Sequence, residues 1–392
     1  MAIPRKLPFS GPAVLTYGFR PFFLAAAVYA AVIMVIWLPV FAGSLELVSI
    51  FSPVDWHAHE MIFGYLAAVI AGFLLTAIPN WTGRLPVQGN PLLLLVIFWV
   101  AGRVAITFSE LLGWQVVLLI DCSFLLALTF AAAREIVAGR NWRNLKVVLP
   151  LSVLFGANVW FHIEAHLHGS NETSRRLGLA VGIVFIMLIG GRIIPSFTRN
   201  WLVKRGSPSL PVAFNRFDGL AIAISVLALL SWIVDAQGLW AGLVLLVAGI
   251  LNIVRLFRWA GIRTGAEPLI LMLHIAYLFV PVGFILLGLA VLFPELVPAS
   301  AGAHTFGAGA VGAMTLTVMT RATLGHTGQP LTANPITMLV FAAIISSAVT
   351  RVSALFDHSF SVQLLYLAGL FWILAFAGFV LSNGRALILP RS

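Results

Sequence analysis

Runs of apolar residues recur along the whole chain. Each is about 17–25 residues long, the length an α-helix needs to cross the hydrocarbon core of a bilayer. The spans read at 22–42, 57–79, 91–108, 113–133, 147–166, 174–195, 217–234, 238–260, 268–292, 299–320, 334–355 and 361–383. Twelve spans in 392 residues leave about 33 residues for each, loop included. No soluble domain fits between them. The expected fold is all-α: a polytopic membrane bundle of twelve transmembrane helices, forming a single integral membrane domain over 1–392.

Composition removes the alternatives. Hydrophobic residues make up 61% of the chain and charged residues 9%, against about 45–50% and about 25% in soluble domains. An ordinary cytosolic enzyme, a disordered chain and a secreted disulfide scaffold are excluded. The net charge of +10 does not point to nucleic acid, because the basic residues fall in short runs between apolar segments, as topology signals do. The single cysteine, Cys122, rules out a disulfide, a four-cysteine zinc site, a ferredoxin-type cluster and a CxxCH haem attachment. A metal site must be built from His, carboxylate or Met. The basic start, Met1 to Lys6, reaches no apolar run until Phe22. That run, about 20 residues long, exceeds a signal-peptide core and reads as the first span.

The loops set the orientation. With the N-terminus inside, all but four of the 23 Lys and Arg residues lie on the inner side. The exceptions are Arg103, Arg175, Arg176 and Arg351. Both termini are therefore expected in the cytoplasm. A weak repeat accompanies this topology. The second span ends Ile78-Pro79-Asn80-Trp81-Thr82, the sixth Ile194-Pro195-Ser196-Phe197-Thr198-Arg199, and the tenth Met319-Thr320-Arg321. Three pseudo-repeats of four helices would place these ends so. Membrane-helix ends rich in Pro, Trp and Arg would look the same.

The nine histidines are not scattered. His57 and His59 open the second span, His162 and His166 close the fifth with His168 just beyond, His304 lies one turn into the tenth, and His358 sits in an outer loop. All seven map to the outer side, while His274 and His326 belong to the inner side. Outer clustering on three helices is what a metal centre near that face requires, since a buried histidine in so apolar an interior needs a partner or a metal. His162 and His166 are four residues apart and share a helix face, suited to gripping one metal. Ser52-Pro53-Val54-Asp55 reads as a cap, a first-turn proline and a capping-box acid. A helix starting there points His57 and His59 about 200° apart. They would serve two centres, or one centre and a supporting contact. The competing reading is that each histidine bonds a carbonyl or carboxylate.

His304 heads a stripe of Gly307, Ala308, Val311, Gly312 and Thr315. That stripe would let a flat macrocycle lie against the helix with His304 as axial ligand to iron. Close helix packing uses the same residues. Few charges lie inside the spans. Arg103 and Asp121 sit at similar depth on neighbouring helices and read as an ion pair. Glu60 and Glu164 stand beside the outer histidines, placed to orient a histidine or relay protons. A structural ion pair with a nearby arginine is the alternative. His274 and His326 are candidates for a second site on the inner side, or for hydrogen-bonded structural roles.

Several segments together resemble the NnrS family of bacterial membrane proteins. They are Trp56-His57-Ala58-His59-Glu60-Met61-Ile62-Phe63-Gly64, Gly72 through Gly83, Gly191-Arg192-Ile193-Ile194-Pro195-Ser196-Phe197-Thr198, and His304-Thr305-Phe306 with Val318 through Gly328. The resemblance implies haem b and copper as cofactors, the bacterial inner membrane as location, and nitric oxide metabolism under nitrosative stress as function. The candidate metal ligands are His57, His59, His162, His166, His304 and His326. His57, His59, His274, His304, Arg192 and Arg321 are the candidates for cofactor binding. Glu60 and Glu164 are the candidate catalytic carboxylates.

Twelve helices with histidines on spans two and ten also look like the catalytic subunit of haem–copper oxidases and nitric oxide reductases. The chain departs from that pattern. It has no adjacent His pair on the seventh span and no His-x-His on the tenth. Three functions stay open: a redox protein that binds and reduces nitric oxide with electrons from a quinol or cytochrome, a nitric oxide sensor or haem-handling protein without turnover, and a twelve-helix secondary transporter. Polar groups crowded at one face count against the transporter, whose binding groups sit near the midplane.

Overall fold

The computed structural model describes residues 11–357 and 359–390. Arg5, Lys6, His358 and Arg391 lie outside the described residues. All twelve expected spans fall on helices, and no strand occurs among the described residues. Among the described residues, eleven helices are long and apolar enough to cross a membrane. They are α1 (Phe19–Phe41), α2 (Pro53–Thr82), α3 (Asn90–Thr107), α4 (Trp114–Ala138), α5 (Trp142–His168), α6 (Glu172–Lys204), α7 (Arg216–Val234), α8 (Leu239–Phe257), α9 (Pro268–Leu292), α11 (Pro335–Ser353) and α12 (Ser361–Ile388). Between α9 and α11, α10 covers 301–327 and coincides with the expected span 299–320. Its Gly, Ala and Thr residues make it the least apolar of the twelve. The chain is a multi-pass, all-α membrane protein.

Local chemistry fixes the helix ends. The Ser52 hydroxyl accepts from the Asp55 N–H at 3.2 Å, with Pro53 in the first turn, so α2 starts where its cap sequence says. Gly83 (φ 70°) and Gly169 (φ 68°) close α2 and α5 in the left-handed conformation that a Cβ disfavours. Asn215 and Asp218 form a reciprocal capping box on α7. Pro79 and Pro195 lie inside their helices. In particular, α6 runs on to Lys204 rather than ending at 195.

Among the described residues, three helices carry π-helical segments: Glu60–Leu66 in α2, Ile186–Gly190 in α6 and Thr305–Ala313 in α10. These are the second helices of the three four-helix groups that the repeat would define. A π segment widens the turn and rotates the side chains that follow, which is why such segments collect at functional sites.

The described residues form two compact units. The first comprises the chain up to 181, with 322–329 and the residues from 379 onward. Here α1 packs on α2 and α3 on α4, while α4 also meets α2 and α5. Close approach needs small residues, and a Cβ at Gly72 would lie 2.7 Å from the Phe23 ring. Arg20 donates to the final carbonyls of α12 at Ala386, Leu387 and Leu389. The second unit comprises 182–321 and 330–378. In it α8 packs between α7 and α9, and α10 packs on α9 and α11.

Candidate metal centre

Within the first unit, five helices aim polar side chains at one point. His59 and Glu60 come from α2, Arg103 from α3, Asp121 from α4, and Asn158 and His162 from α5; Tyr29 of α1 closes the group. His59 and Glu60 are fully buried, and Asp121, Asn158 and His162 are 1% exposed. His59 lies six residues into α2, about 9 Å along its axis.

Asp121 is the hub. Its Oδ2 meets His59 Nε2 at 3.1 Å and His162 Nε2 at 3.1 Å, and accepts from the Asn158 amide at 2.8 Å. Its Oδ1 accepts from Arg103. The same guanidinium donates to Glu60 Oε1 at 2.6 Å. Glu60 Oε1 also meets His59 Nδ1 at 2.9 Å, and Tyr29 donates to Glu60 Oε2. The Asn158 carbonyl oxygen lies 3.0 Å from His59 Nε2. Two carboxylates thus face one guanidinium, and His59 has a carboxylate oxygen at each ring nitrogen, so the second negative charge is balanced only if the imidazole holds a second proton or a cation lies there. In a medium that cannot solvate a bare carboxylate, one or the other is required.

Backbone shape makes room for the charges. The π segment opens directly after His59, and the Trp99 indole donates to the Gly64 carbonyl inside it at 2.9 Å. A Cβ at Gly64 would stand 2.7 Å from Arg103 Nη1 and 3.0 Å from Glu60 Oε2. A Cβ at Gly102 would stand 2.9 Å from Asp121 Oδ1. Any larger residue at either position would push the ion network apart.

His59, Asp121 and His162 offer ligand atoms that all lie within 4.8 Å of one another. Two imidazoles and a carboxylate suit copper, zinc or iron. Ligands held about 2.0–2.2 Å from one ion sit roughly 3 Å apart, the spacing seen between each imidazole and Asp121. His162 Nδ1 is buried and has no partner among the described residues. The residues fit a resident metal ion, which would replace the histidine–aspartate hydrogen bonds.

The remaining candidates divide. The pairing of Arg103 with Asp121 forms as expected and extends to Glu60. His57 and His59 diverge as their spacing requires: His57 stacks on Trp37 (ring centroids 4.3 Å apart) while His59 turns inward. His166 does not join His162. One turn further out, it is exposed and stacks on Trp114 at 4.2 Å. Glu164 does not stand with the histidines either. Its carboxylate accepts from the Thr173 and Ser174 N–H groups at 3.0 and 2.8 Å and caps the start of α6. The reason is position: the chain turns at Gly169 and returns the α6 amides to it. His326 is exposed beside the Phe19 ring.

In the second unit, His304 Nε2 accepts from Arg351 at 2.6 Å. His274 Nε2 meets Thr198 Oγ1 at 2.9 Å, and a Cβ at Gly261 would lie 2.5 Å from its Nδ1. Arg192 is exposed, and Arg321 lies over the Phe197 ring at 4.2 Å. The stripe below His304 is split. Gly312 is filled by Trp372, as helix packing demands, whereas a Cβ at Gly307 would touch nothing within 4 Å. For haem, His304 and His274 are the candidates in this unit, each with Nε2 hydrogen-bonded to a neighbour. An iron ligated there would have to displace Arg351 from His304 or Thr198 from His274.

The match to known families decides what kind of chain places such a centre in its spans. A family model described as NnrS protein covers residues 13–391. The chain belongs to the NnrS family. No curated protein matches it. Membership ties this NnrS chain to nitric oxide metabolism or response. It also associates the chain with haem and metal binding, for which the His59–Asp121–His162 cluster is the candidate metal site.

Two residues of the cluster are not among the candidates read from the sequence. Tyr29 is one of five tyrosines and has no polar neighbour in its own span. Asn158 could be found, since it precedes His162 by one helical turn and is a polar side chain within a span. A second buried network is equally silent. Arg255 binds Asp218 Oδ1 at 3.2 Å, the Met187 carbonyl at 3.2 Å and the Tyr277 hydroxyl at 2.8 Å. A Cβ at Gly191 would overlap its guanidinium. In the sequence Arg255 looks like one more inner-side topology cation.

Proposed function

We propose that this chain is a copper-dependent membrane oxidoreductase that binds nitric oxide and reduces it, relieving nitrosative stress. It would sit in the bacterial inner membrane with both termini inside. The observation that carries the reading is the buried His59–Asp121–His162 cluster, joined to Glu60 and Arg103, inside an NnrS-family chain. His59 can serve a structural ion network by bridging Glu60 and Asp121; what favours a metal is the second imidazole, His162, on the same Asp121 oxygen.

His59, His162 and Asp121 would hold the ion. Copper supplies one-electron redox chemistry when bound. Reduction of nitric oxide consumes electrons and protons in equal number, so a quinol or a cytochrome is the partner that donates electrons. Glu60 is the group placed to hold and pass a proton, through Oε1 to His59 Nδ1. Arg103 and Tyr29 fix its two oxygens. Nitric oxide partitions into lipid and reaches a membrane-embedded site without a dedicated channel.

Purified, metal-replete protein given a competent reductant is expected to consume nitric oxide. Glu60→Gln is expected to slow turnover by about 10²-fold or more while changing nitric oxide affinity far less, because proton delivery acts on the chemical step. Nitric oxide electrodes and equilibrium binding spectra report the two quantities separately. If the intact protein binds nitric oxide but never consumes it, the reductase reading fails and a sensing role replaces it.

A further inference from the structure

Four basic residues break the inside bias of the chain, and three of them have carboxylate partners. Arg103 binds Glu60 and Asp121. Arg175 meets Asp55 at 3.1 Å, and Arg176 meets Glu172 at 2.8 Å. Arg351 has none among the described residues. Its sole polar partner there is His304, whose Nε2 accepts from Nη2 at 2.6 Å. An imidazole nitrogen that accepts this bond carries no negative charge. A guanidinium has five N–H donors, so four are left over and its full charge is uncompensated.

Position sharpens the point. Arg351 stands two residues before the end of α11 at Ser353, and His304 is the fourth residue of α10. Both lie within about 5 Å of a helix end, at the level where hydrocarbon gives way to headgroups. Arg351 is only half-buried, and a Cβ at Gly307, one turn below His304, would meet nothing within 4 Å. At that depth a half-buried guanidinium reaches the headgroup layer, and with no carboxylate beside it the planar fork, shaped for paired oxygens, is open to an anion there.

We propose that Arg351, held by His304, is a binding site for an anionic oxygen group such as a phosphate. The group could belong to a phospholipid headgroup or to a free small oxyanion. The His304–Arg351 bond fixes the fork, and the guanidinium's remaining N–H groups receive the ligand. This site is independent of the metal cluster and stands or falls separately from it.

The test is native mass spectrometry of the full-length protein purified in phosphate-free buffer, as wild type, Arg351→Gln and Arg351→Lys. Thermal midpoints are recorded with and without added inorganic phosphate. With a lipid headgroup bound, wild type retains one phospholipid more than Arg351→Gln. With a free oxyanion bound, lipid retention is equal but inorganic phosphate raises the midpoint of wild type and not of Arg351→Gln. If wild type and Arg351→Gln retain the same lipids and respond identically to phosphate, the site does not exist. Should Arg351→Gln not fold, Arg351→Lys takes its place. The ammonium lacks the fork, so about tenfold weaker retention or response is expected, and equality with wild type overturns the proposal.

Discussion

Arg103→Met is expected to destabilise the protein by about 3–5 kcal/mol, the scale for stripping one partner from a buried ion network. Glu60 and Asp121 would face each other and the histidines with no guanidinium between them, in a region water cannot reach. The loss should appear as a lower thermal midpoint and a smaller monodisperse fraction after detergent extraction. Removing all the charge should hurt less. Glu60→Gln, Asp121→Asn and Arg103→Met combined leave no buried ion, and neutralising a whole network is often near neutral in stability. A triple variant less stable than Arg103→Met alone would show that the network is held by packing rather than by charge balance.

Asp121→Asn is expected to abolish both metal binding and nitric oxide consumption. The carboxylate oxygen that His59, His162 and Asn158 share would become an amide end that is neutral or a donor, in conflict with the donors around it. Arg103 keeps Glu60 as a partner, so the fold should survive where function does not. Metal analysis and nitric oxide consumption on the same preparation, with helicity as the control, separate the two. A folded Asp121→Asn protein with full metal content would remove Asp121 from the centre.

The bundle was legible because bilayer thickness leaves so few choices. Twelve apolar runs had to be helices, and each is one. The capped start of α2 was legible for the same kind of reason: Ser52, Pro53 and Asp55 satisfy the first amides locally, and that cap alone fixes the divergence of His57 and His59. The cluster was half legible. Arg103 and Asp121 could be paired because hydrocarbon forces buried charges together. His166 and Glu164 misled because helical spacing states which side chains share a face, not how far along the axis the bundle stays closed. One turn beyond His162 the helix leaves the interior. There His166 meets Trp114, and Glu164 is claimed by the α6 amides that the turn at Gly169 brings back. The π segments were not legible at all. They depend on how α2, α6 and α10 meet their neighbours, and no local pattern announces a widened turn. Arg255 was hidden for a related reason, since its partners Asp218, Met187 and Tyr277 come from three other helices.

Metal analysis of a matched pair of variants, His162→Ala and His166→Ala, tests the central claim most directly. The two positions lie four residues apart on one face of α5, so both substitutions perturb the same helix and differ in depth: His162 is buried and His166 is exposed one turn further out. His166→Ala is expected to keep the copper content of wild type, and His162→Ala to hold copper only at background. Equal copper in both, or loss in His166→Ala alone, would contradict a metal centre built on His59, Asp121 and His162.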